Sequence, residues 1–282
     1  MKKTDKILIV GLGLIGGSYA EGLTKKGYQV YGIDKSQESI DFAINKKIIV
    51  DGTTIITKEF LEIFDIIIFA LYPHVLVEWI KEYQKYLKPN AILTDATGIK
   101  KWLYNELIPI LRNDLEFIGG HPMAGREVYG VQNSNKDIFK NANYIITPSK
   151  NSTEHAINVV KKIAEELEFK NISILSMEEH DEMIGFLSQL THCIAISLMT
   201  CKESKHLVSY TGDSFRDLTR IARINENMWS ELFLLNKEEL LLQMNLFLEK
   251  FEELKQTIEN DDVDKMKEIM KLSTLNRSYF DK

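Results

Sequence analysis

Cysteine is scarce. Cys193 and Cys201 are the only two in 282 residues, and their spacing of eight fits neither a zinc site nor a redox pair. No other cluster of His, Cys, Asp or Glu has metal-ligand spacing, so no metal is expected. Proline stops at Pro148, and of fifteen glycines only Gly185 and Gly212 follow Gly130. The second half therefore has almost nothing to break a helix. Positive charge is in deficit: 35 Lys and Arg against 41 Asp and Glu give a net charge of −6. That argues against nucleic acid as the main partner, because phosphate binding needs a basic excess. Long hydrophobic runs are missing too. The greasiest, Ile66–Tyr72, is only strand-sized, so no membrane span is expected. The N-terminus, Met-Lys-Lys-Thr-Asp-Lys, runs into a strand by Ile7 without the apolar stretch or cleavage site of a signal peptide. A cytoplasmic protein is expected.

Hydrophobic residues at 44% and charged residues at 27% are those of an ordinary globular protein, and 282 residues suit two domains. In the first half, short apolar runs alternate with longer mixed segments. Ile7–Val10, Gln29–Ile33, Ile66–Leu71, Ala91–Thr94, Glu116–Ile118 and Tyr144–Thr147 read as strands. Ser18–Lys26, Gln37–Asn45, His74–Leu87 and Lys100–Leu111 read as helices. Such alternation predicts βαβ units and a parallel sheet. A helix over Thr153–Glu168 and a strand over Asn171–Leu175 end the sheet domain near Ser176.

From Met177 the pattern is helical: Met177–Thr200, Phe215–Ile224, Glu226–Leu235, Lys237–Glu259 and a last helix near Asp262–Asn276. Phe247, Phe251, Leu254 and Ile258 recur at spacings of three and four, as on an amphipathic helix. Helices apolar most of the way round need burial on all sides, which predicts a helical dimer interface. The division expected is 1–176 for an α/β domain and 177–282 for an all-helical one.

The first strand feeds Gly11-Leu12-Gly13-Leu14-Ile15-Gly16 and then a helix. In such a turn the first glycine permits the bend, the second lets a pyrophosphate approach the backbone, and the third lets helix and strand pack closely. The helix N-terminus adds free N–H groups and partial positive charge. A second strand ends at Asp34, eighteen residues after Gly16, where a carboxylate can accept hydrogen bonds from a ribose. Asp34 favours NAD, since it would repel a 2′-phosphate, whereas Lys35 beside it could turn toward one. Leu71, where the third strand ends, is counted with these contacts.

The second unusual segment is Phe117-Ile118-Gly119-Gly120-His121-Pro122-Met123-Ala124-Gly125. A strand ends in two glycines and presents a histidine held by a proline. That edge of a parallel sheet is where ligands bind, and the position suits a proton acceptor for an alcohol being oxidised. A histidine satisfied by loop backbone is the alternative.

His121-Pro122-Met123-Ala124-Gly125, with Glu127 and Gly130 following, resembles the signature of the prephenate and arogenate dehydrogenases. Thr94-Asp95-Ala96-Thr97-Gly98-Ile99-Lys100 resembles that family's turn after a strand. Glu179-His180-Asp181 resembles the start of its long helix. Phe215-Arg216-Asp217-Leu218-Thr219-Arg220-Ile221-Ala222, Met228-Trp229 and Asn236-Lys237 resemble its helical-domain signature. The resemblance implies a Rossmann-type NAD domain followed by an all-α dimerisation domain, with NAD as cofactor and a homodimer as the assembly. It implies oxidative decarboxylation of prephenate to 4-hydroxyphenylpyruvate, the precursor of tyrosine. It makes His121 the acceptor for the ring hydroxyl and Arg220 the carboxylate-binding arginine, with His192 lining the pocket and Glu127 at its mouth. Arg216, one turn before Arg220, could serve the same dianion. Without the resemblance, Arg220 reads as a surface ion pair to Asp217 or Glu226.

Two departures from the family stand out. Many members carry a serine at the position of Gly98, bonded to the catalytic histidine; here the nearest hydroxyl is on Thr97, which could take over that orienting role, as could backbone or water. Gln189-Leu190-Thr191-His192 replaces His-Leu-Pro-His. His74, His155, His180 and His206 are read as structural, with His180 starting the long helix or bridging the domains, and Trp79, Trp102 and Trp229 as core. The alternatives are an arogenate dehydrogenase, a two-domain reductase of a β-hydroxy acid or cyclic imine, and an NAD-sensing regulator. The last two have no need of both His121 and Arg220. The sequence reaches Lys282 soon after the last expected helix, so no chorismate mutase or C-terminal regulatory domain is expected within it.

Overall fold

The computed structural model describes residues 1–203 and 205–281. Eight strands form one sheet: β1 (Lys6–Val10), β2 (Gln29–Ile33), β3 (Asp51–Thr53), β4 (Ile66–Phe69), β5 (Ile92–Asp95), β6 (Glu116–Pro122), β7 (Asn143–Thr147) and β8 (Asn171–Ile174). Their order is β3-β2-β1-β4-β5-β6-β7-β8. The first six strands are parallel, β7 runs antiparallel to β6, and β8 is parallel to β7. The order reverses between β1 and β4, and a crevice at such a point is the usual dinucleotide site of doubly wound folds. Strands buried on both faces read as continuous apolar runs, as in Ile7–Val10 and Ile66–Phe69, whose residues are all nearly fully buried.

The sheet-domain helices are α1 (Leu14–Lys25), α2 (Gln37–Asn45), α3 (Lys58–Leu61), α4 (Pro73–Tyr83), α5 (Lys101–Leu107) and α6 (Glu154–Glu166). Two apolar layers result, one on each face of the sheet, around Tyr19, Phe139 and Val160 and around Phe64, Phe69 and Leu103. Local chemistry starts the helices: Ser36 and Thr153 accept N–H groups at the starts of α2 and α6, and proline opens α4.

The helical region comprises α7 (Met177–Thr200), α8 (Asp213–Thr219), α9 (Glu226–Leu235), α10 (Lys237–Glu259) and α11 (Val263–Ser278). Ser176 and Glu179 form a reciprocal capping box that starts α7, and Asn225 caps α9. Inside α7, Gly185–Leu190 winds as a π-helix.

One strand is added and three expectations change. Edge strand β3 is three residues long and half polar, too short for a periodicity to show. Strand β6 continues past Ile118 to Pro122 because its second half exchanges β5 for β7 as neighbour. The expected helix over 215–224 is shorter, since α8 gives way to a 3-10 turn at Arg220–Ala222. Lastly, α7 is by length and composition alone long and apolar enough to cross a membrane, with mean hydropathy 1.4, where no apolar run of that length was expected. Buried His180, Asp181 and Gln189 nonetheless bind α7 by polar contacts to the sheet domain and to Asn236.

Candidate active site

Gly11 follows β1 with φ +96°, a conformation glycine adopts without strain, and its N–H bonds Ile33 O at 2.8 Å. The Leu71 side chain lies against it, and Gly16 packs on its carbonyl so closely that no Cβ would fit. Above Gly13 the space is open: a Cβ there would meet nothing within 4 Å. Gly13 begins α1 with no side-chain cap, so the first N–H groups of Leu14, Ile15 and Gly16 are left for another acceptor. Asp34 stands beside this opening. Its Oδ2 accepts Leu12 N–H at 2.7 Å and its Oδ1 accepts Ser36 N–H at 2.9 Å, which aims the carboxylate. Lys35 next to it is exposed. An open cradle of backbone donors with a fixed carboxylate at one end fits a dinucleotide's pyrophosphate and ribose.

The second half of β6 carries His121 beyond the end of β5. Two glycines make this possible. A Cβ on Gly120 would lie 2.9 Å from Asp95 O and 3.0 Å from Thr94 Oγ1, and one on Gly119 would lie 3.0 Å from Lys100 Cδ. Beneath them sits a buried polar knot. The Lys100 side chain is 0% exposed, and its ammonium bonds Asp95 Oδ2 at 2.8 Å, Thr97 O at 2.8 Å and Thr97 Oγ1 at 3.1 Å. Asp95 also accepts N–H groups from Thr97 and Gly120 at 2.9 and 3.0 Å. A buried ion pair with every valence used holds the turn rigid. Burial pushes the Lys100 ammonium downward, against the pull of Asp95 and Asp181.

Thr97, considered for the orienting role, is bonded elsewhere. Its hydroxyl is bonded to Asp95 Oδ2, and Asp95 with Lys100 leaves it no freedom to turn. The partner of His121 is His180, read from sequence as structural. His121 Nδ1 and His180 Nε2 are 2.9 Å apart, and His180 Nδ1 lies 2.7 Å from Asp181 Oδ1. Asp181 in turn accepts Lys100 N–H and Lys101 N–H, each at 2.8 Å, at the start of α5. Burial, then the neighbouring His180 and Lys100, hold the His121 imidazole well below its usual range. Gly98 lies beside the ring, with His121 Cε1 3.9 Å from where its Cβ would be and Leu232 of α9 3.6 Å from the same point.

On the helical side, His192 Nδ1 donates to Ser188 O at 2.9 Å, and its ring stacks on Trp229 with centroids 3.7 Å apart. Trp229 is therefore a platform for His192 as well as core. Burial pushes His192 downward, while Glu127 and Arg220 act on it in opposite directions. Arg220 is joined neither to Asp217 nor to Glu226: its Nη1 bonds Glu127 Oε1 at 2.6 Å across 93 positions of sequence, with its side chain 64% exposed. Glu127, His192 and Arg220 thus come together. Arg216 does not join them, being tied locally to Asp213 at 2.6 Å and to Thr211 O at 3.1 Å.

The sheet and helical regions also meet at His74, whose Nδ1 is 2.7 Å from Glu231 Oε1 and whose ring leans on Trp102, and at Tyr72, which accepts from Asn225 at 3.2 Å. Both flank Leu71. Sequence reasoning missed His74, His180 and Asp181 as site-framing residues. The signal for the last two was a His-Asp pair placed in the first turns of α7 by the Ser176–Glu179 box.

This architecture has close relatives. The family described as prephenate dehydrogenase, nucleotide-binding domain, matches residues 19–173, and that described as prephenate dehydrogenase, dimerization domain, matches residues 176–272. The prephenate dehydrogenase of Lactococcus lactis subsp. cremoris is 33% identical over 258 residues, covering 88% of this chain and 70% of that protein. The Bacillus subtilis prephenate dehydrogenase is 29% identical over 271 residues, covering 93% and 72%. A crystal structure of prephenate dehydrogenase from A. aeolicus, in complex with hydroxyphenyl propionate and NAD+, superposes with a TM-score of 0.89 at 31% identity over 99% of each chain. On the sequence models, the relatives and the shared fold together, the chain belongs to the prephenate dehydrogenase family.

Proposed function

We propose that this chain is an NAD-dependent prephenate dehydrogenase, converting prephenate to 4-hydroxyphenylpyruvate and CO2 as a cytoplasmic homodimer. Two observations support the reading: His121 stands past the end of β5, on the sheet edge that also bears the glycine cradle after β1, and Arg220 is brought from the helical region to Glu127, just after the His121 segment. In this reading residues 1–176 bind the cofactor and residues 177–282 complete the substrate pocket and the dimer. Gly11, Leu12, Gly13, Leu14, Ile15, Gly16, Asp34 and Leu71 hold the dinucleotide, with Lys35 at its edge. When bound, NAD supplies the two-electron acceptor for the hydride that leaves the carbinol carbon.

His121 accepts the proton of the ring hydroxyl while that carbon is oxidised. The ring carboxylate then departs as CO2, its bonding electrons make the ring aromatic, and the proton on His121 returns to the phenolate oxygen. No net proton is released, and aromatisation makes the step strongly downhill. Arg220 holds a substrate carboxylate, for which a planar fork of N–H donors is suited. Its ion pair with Glu127 keeps it placed in the absence of substrate. His192 on Trp229 lines the pocket beside them. Turnover of prephenate and of arogenate, each with NAD and with NADP, tests the reading; NADH formation from prephenate is expected, and a strong preference for arogenate would assign the other member of the family.

Cofactor choice gives a separate prediction. With Asp34 fixed by two backbone N–H groups, a 2′-phosphate meets like charge that cannot swing away. NAD is expected to exceed NADP in kcat/KM by about tenfold to a hundredfold, equivalent to about 1.4–2.8 kcal/mol. Equal efficiency with the two cofactors would transfer the site to Lys35 and Ser36.

Assembly gives another. Leu241, Leu242, Leu246, Leu248 and Phe251 of α10 and Phe186 of α7 are exposed on the single chain. An apolar surface of this kind on helices seeks a partner. Light scattering is expected to give about twice the 32.5 kDa chain mass; a stable, active monomer would refute the dimer.

A further inference from the structure

His180 and Asp181 lie outside the residues that touch substrate or cofactor in the proposed reaction, yet they are almost completely buried. Their hydrogen bonds can be followed donor by donor. The Asp181 carboxylate takes Lys100 N–H on Oδ1 and Lys101 N–H on Oδ2, both at 2.8 Å. An ionised carboxylate has no donor to offer, so the 2.7 Å contact with His180 Nδ1 requires the hydrogen to be on that nitrogen. A neutral His180 then has its lone pair on Nε2. The 2.9 Å contact to His121 Nδ1 in turn requires the hydrogen to be on His121 Nδ1. His121 is left with its lone pair on Nε2.

We propose that His180, braced by Asp181, is a positioning residue that fixes His121 in the Nδ1–H tautomer, so that Nε2 is the nitrogen that accepts the substrate's proton. This rests on the functional reading above and supplies what Gly98 and Thr97 do not. Free imidazole side chains favour the opposite tautomer, with hydrogen on Nε2, which has no lone pair there to accept a proton. The device also serves the protonated state. Once His121 carries both hydrogens, its Nδ1–H points at His180 Nε2, and the Asp181 carboxylate behind His180 opposes the new charge. A carboxylate behind a histidine does this in hydrolytic triads; here a second histidine stands between them.

The charges facing the pair are Lys100 and Asp95 from the β5–α5 turn and Asp181 from α7. Burial holds His180 below its usual range against the pull of Asp181, which keeps it neutral and its Nε2 able to accept. The arrangement also explains why the contact spans two regions: Asp181 caps the start of α5 from the helical side, so His180 is seated only when α7 is docked on the sheet domain.

Two variants and one spectrum test the proposal. His180→Phe keeps a ring but has no lone pair, and His180→Gln restores an acceptor. In His180→Phe, kcat is expected to fall about tenfold to a hundredfold, the usual effect of removing a group that orients a reacting histidine. KM for prephenate and for NAD should stay within about threefold, and the acidic limb of the kcat profile should move. His180→Gln should recover most of the loss. Imidazole 15N spectra of the wild-type protein, which has six histidines, should show His121 protonated at Nδ1 and bare at Nε2, the signal being assigned by its loss in His121→Asn. A His180→Phe enzyme with kcat within about threefold of wild type and an unmoved limb would overturn the proposal. So would a His121 resonance of the opposite tautomer, which decides the matter even if the phenylalanine variant does not fold. A wild-type protein inactive on both prephenate and arogenate would defeat the functional reading, while the spectrum would still report the tautomer.

Discussion

His121→Asn is expected to lower kcat by about 10²–10⁴-fold, the usual contribution of a positioned base. Asparagine keeps a hydrogen-bonding group of similar size but cannot take a proton. NAD affinity should be unchanged and KM for prephenate altered only modestly, because the glycine cradle and Arg220 are untouched. The wild-type pH profile provides a second readout. The acceptor is the neutral ring, and burial together with His180 and Lys100 holds its pKa well below the ordinary value of 6.5. A lowered value means that the neutral form persists as pH falls past 6.5, so the acidic limb should lie below that of a free imidazole. Because His121 and His180 are in contact, the limb belongs to the pair. It should vanish in His121→Asn. A variant retaining more than about a tenth of wild-type kcat, with the limb intact, would move the base elsewhere, with His192 the first suspect.

Arg220→Lys should raise KM for prephenate about tenfold to a hundredfold while leaving NAD affinity nearly intact. The charge survives, but a lysine offers a point charge where the guanidinium offers a fork. Hydrogen bonds to charged groups contribute about 1.5–3 kcal/mol each, which sets that range. The free enzyme should lose little stability, because the Arg220–Glu127 pair is exposed at 64% and 36% of the side chains and such pairs are worth about 0–1 kcal/mol. An increase in KM below about threefold would leave Arg220 as no more than the surface ion pair it makes in the absence of substrate.

Features governed by neighbours in sequence were legible before the structure. Gly11 to Gly16 and Asp34 could be read because a strand, a tight turn and a helix N-terminus are set by contiguous residues. The alternation of short apolar runs with mixed segments likewise predicted a parallel sheet, and the absence of proline after Pro148 and the scarcity of glycine after Gly130 predicted helices. The reading weakened where the pairing partner determines the element. Strand β3 exists because β2 has a free edge to pair with, and β6 runs through Gly119-Gly120-His121-Pro122 because β7 arrives from the opposite direction. The α7 helix, apolar enough for a membrane by composition, is tied to the protein by a few buried polar side chains that hydropathy cannot weigh.

By itself, the sequence determined the fold class, the glycine cradle and the kind of chemistry: an imidazole after a glycine pair, an arginine on a helix and a carboxylate after the second strand. Tertiary structure alone decided which groups act on one another. Thr97, one residue from the family's serine, is bound to Asp95, while His180, 59 positions from His121, lies 2.9 Å from it. Arg220 pairs with Glu127, which no helical spacing would suggest, and Arg216 turns away to Asp213. The physical reason is the range of the forces. Backbone hydrogen bonds and apolar periodicity repeat within a few residues and leave a pattern in the sequence. A buried hydrogen-bond chain such as Asp181–His180–His121 is assembled from separate elements, and it exists only once their packing has excluded the water that would otherwise satisfy each group.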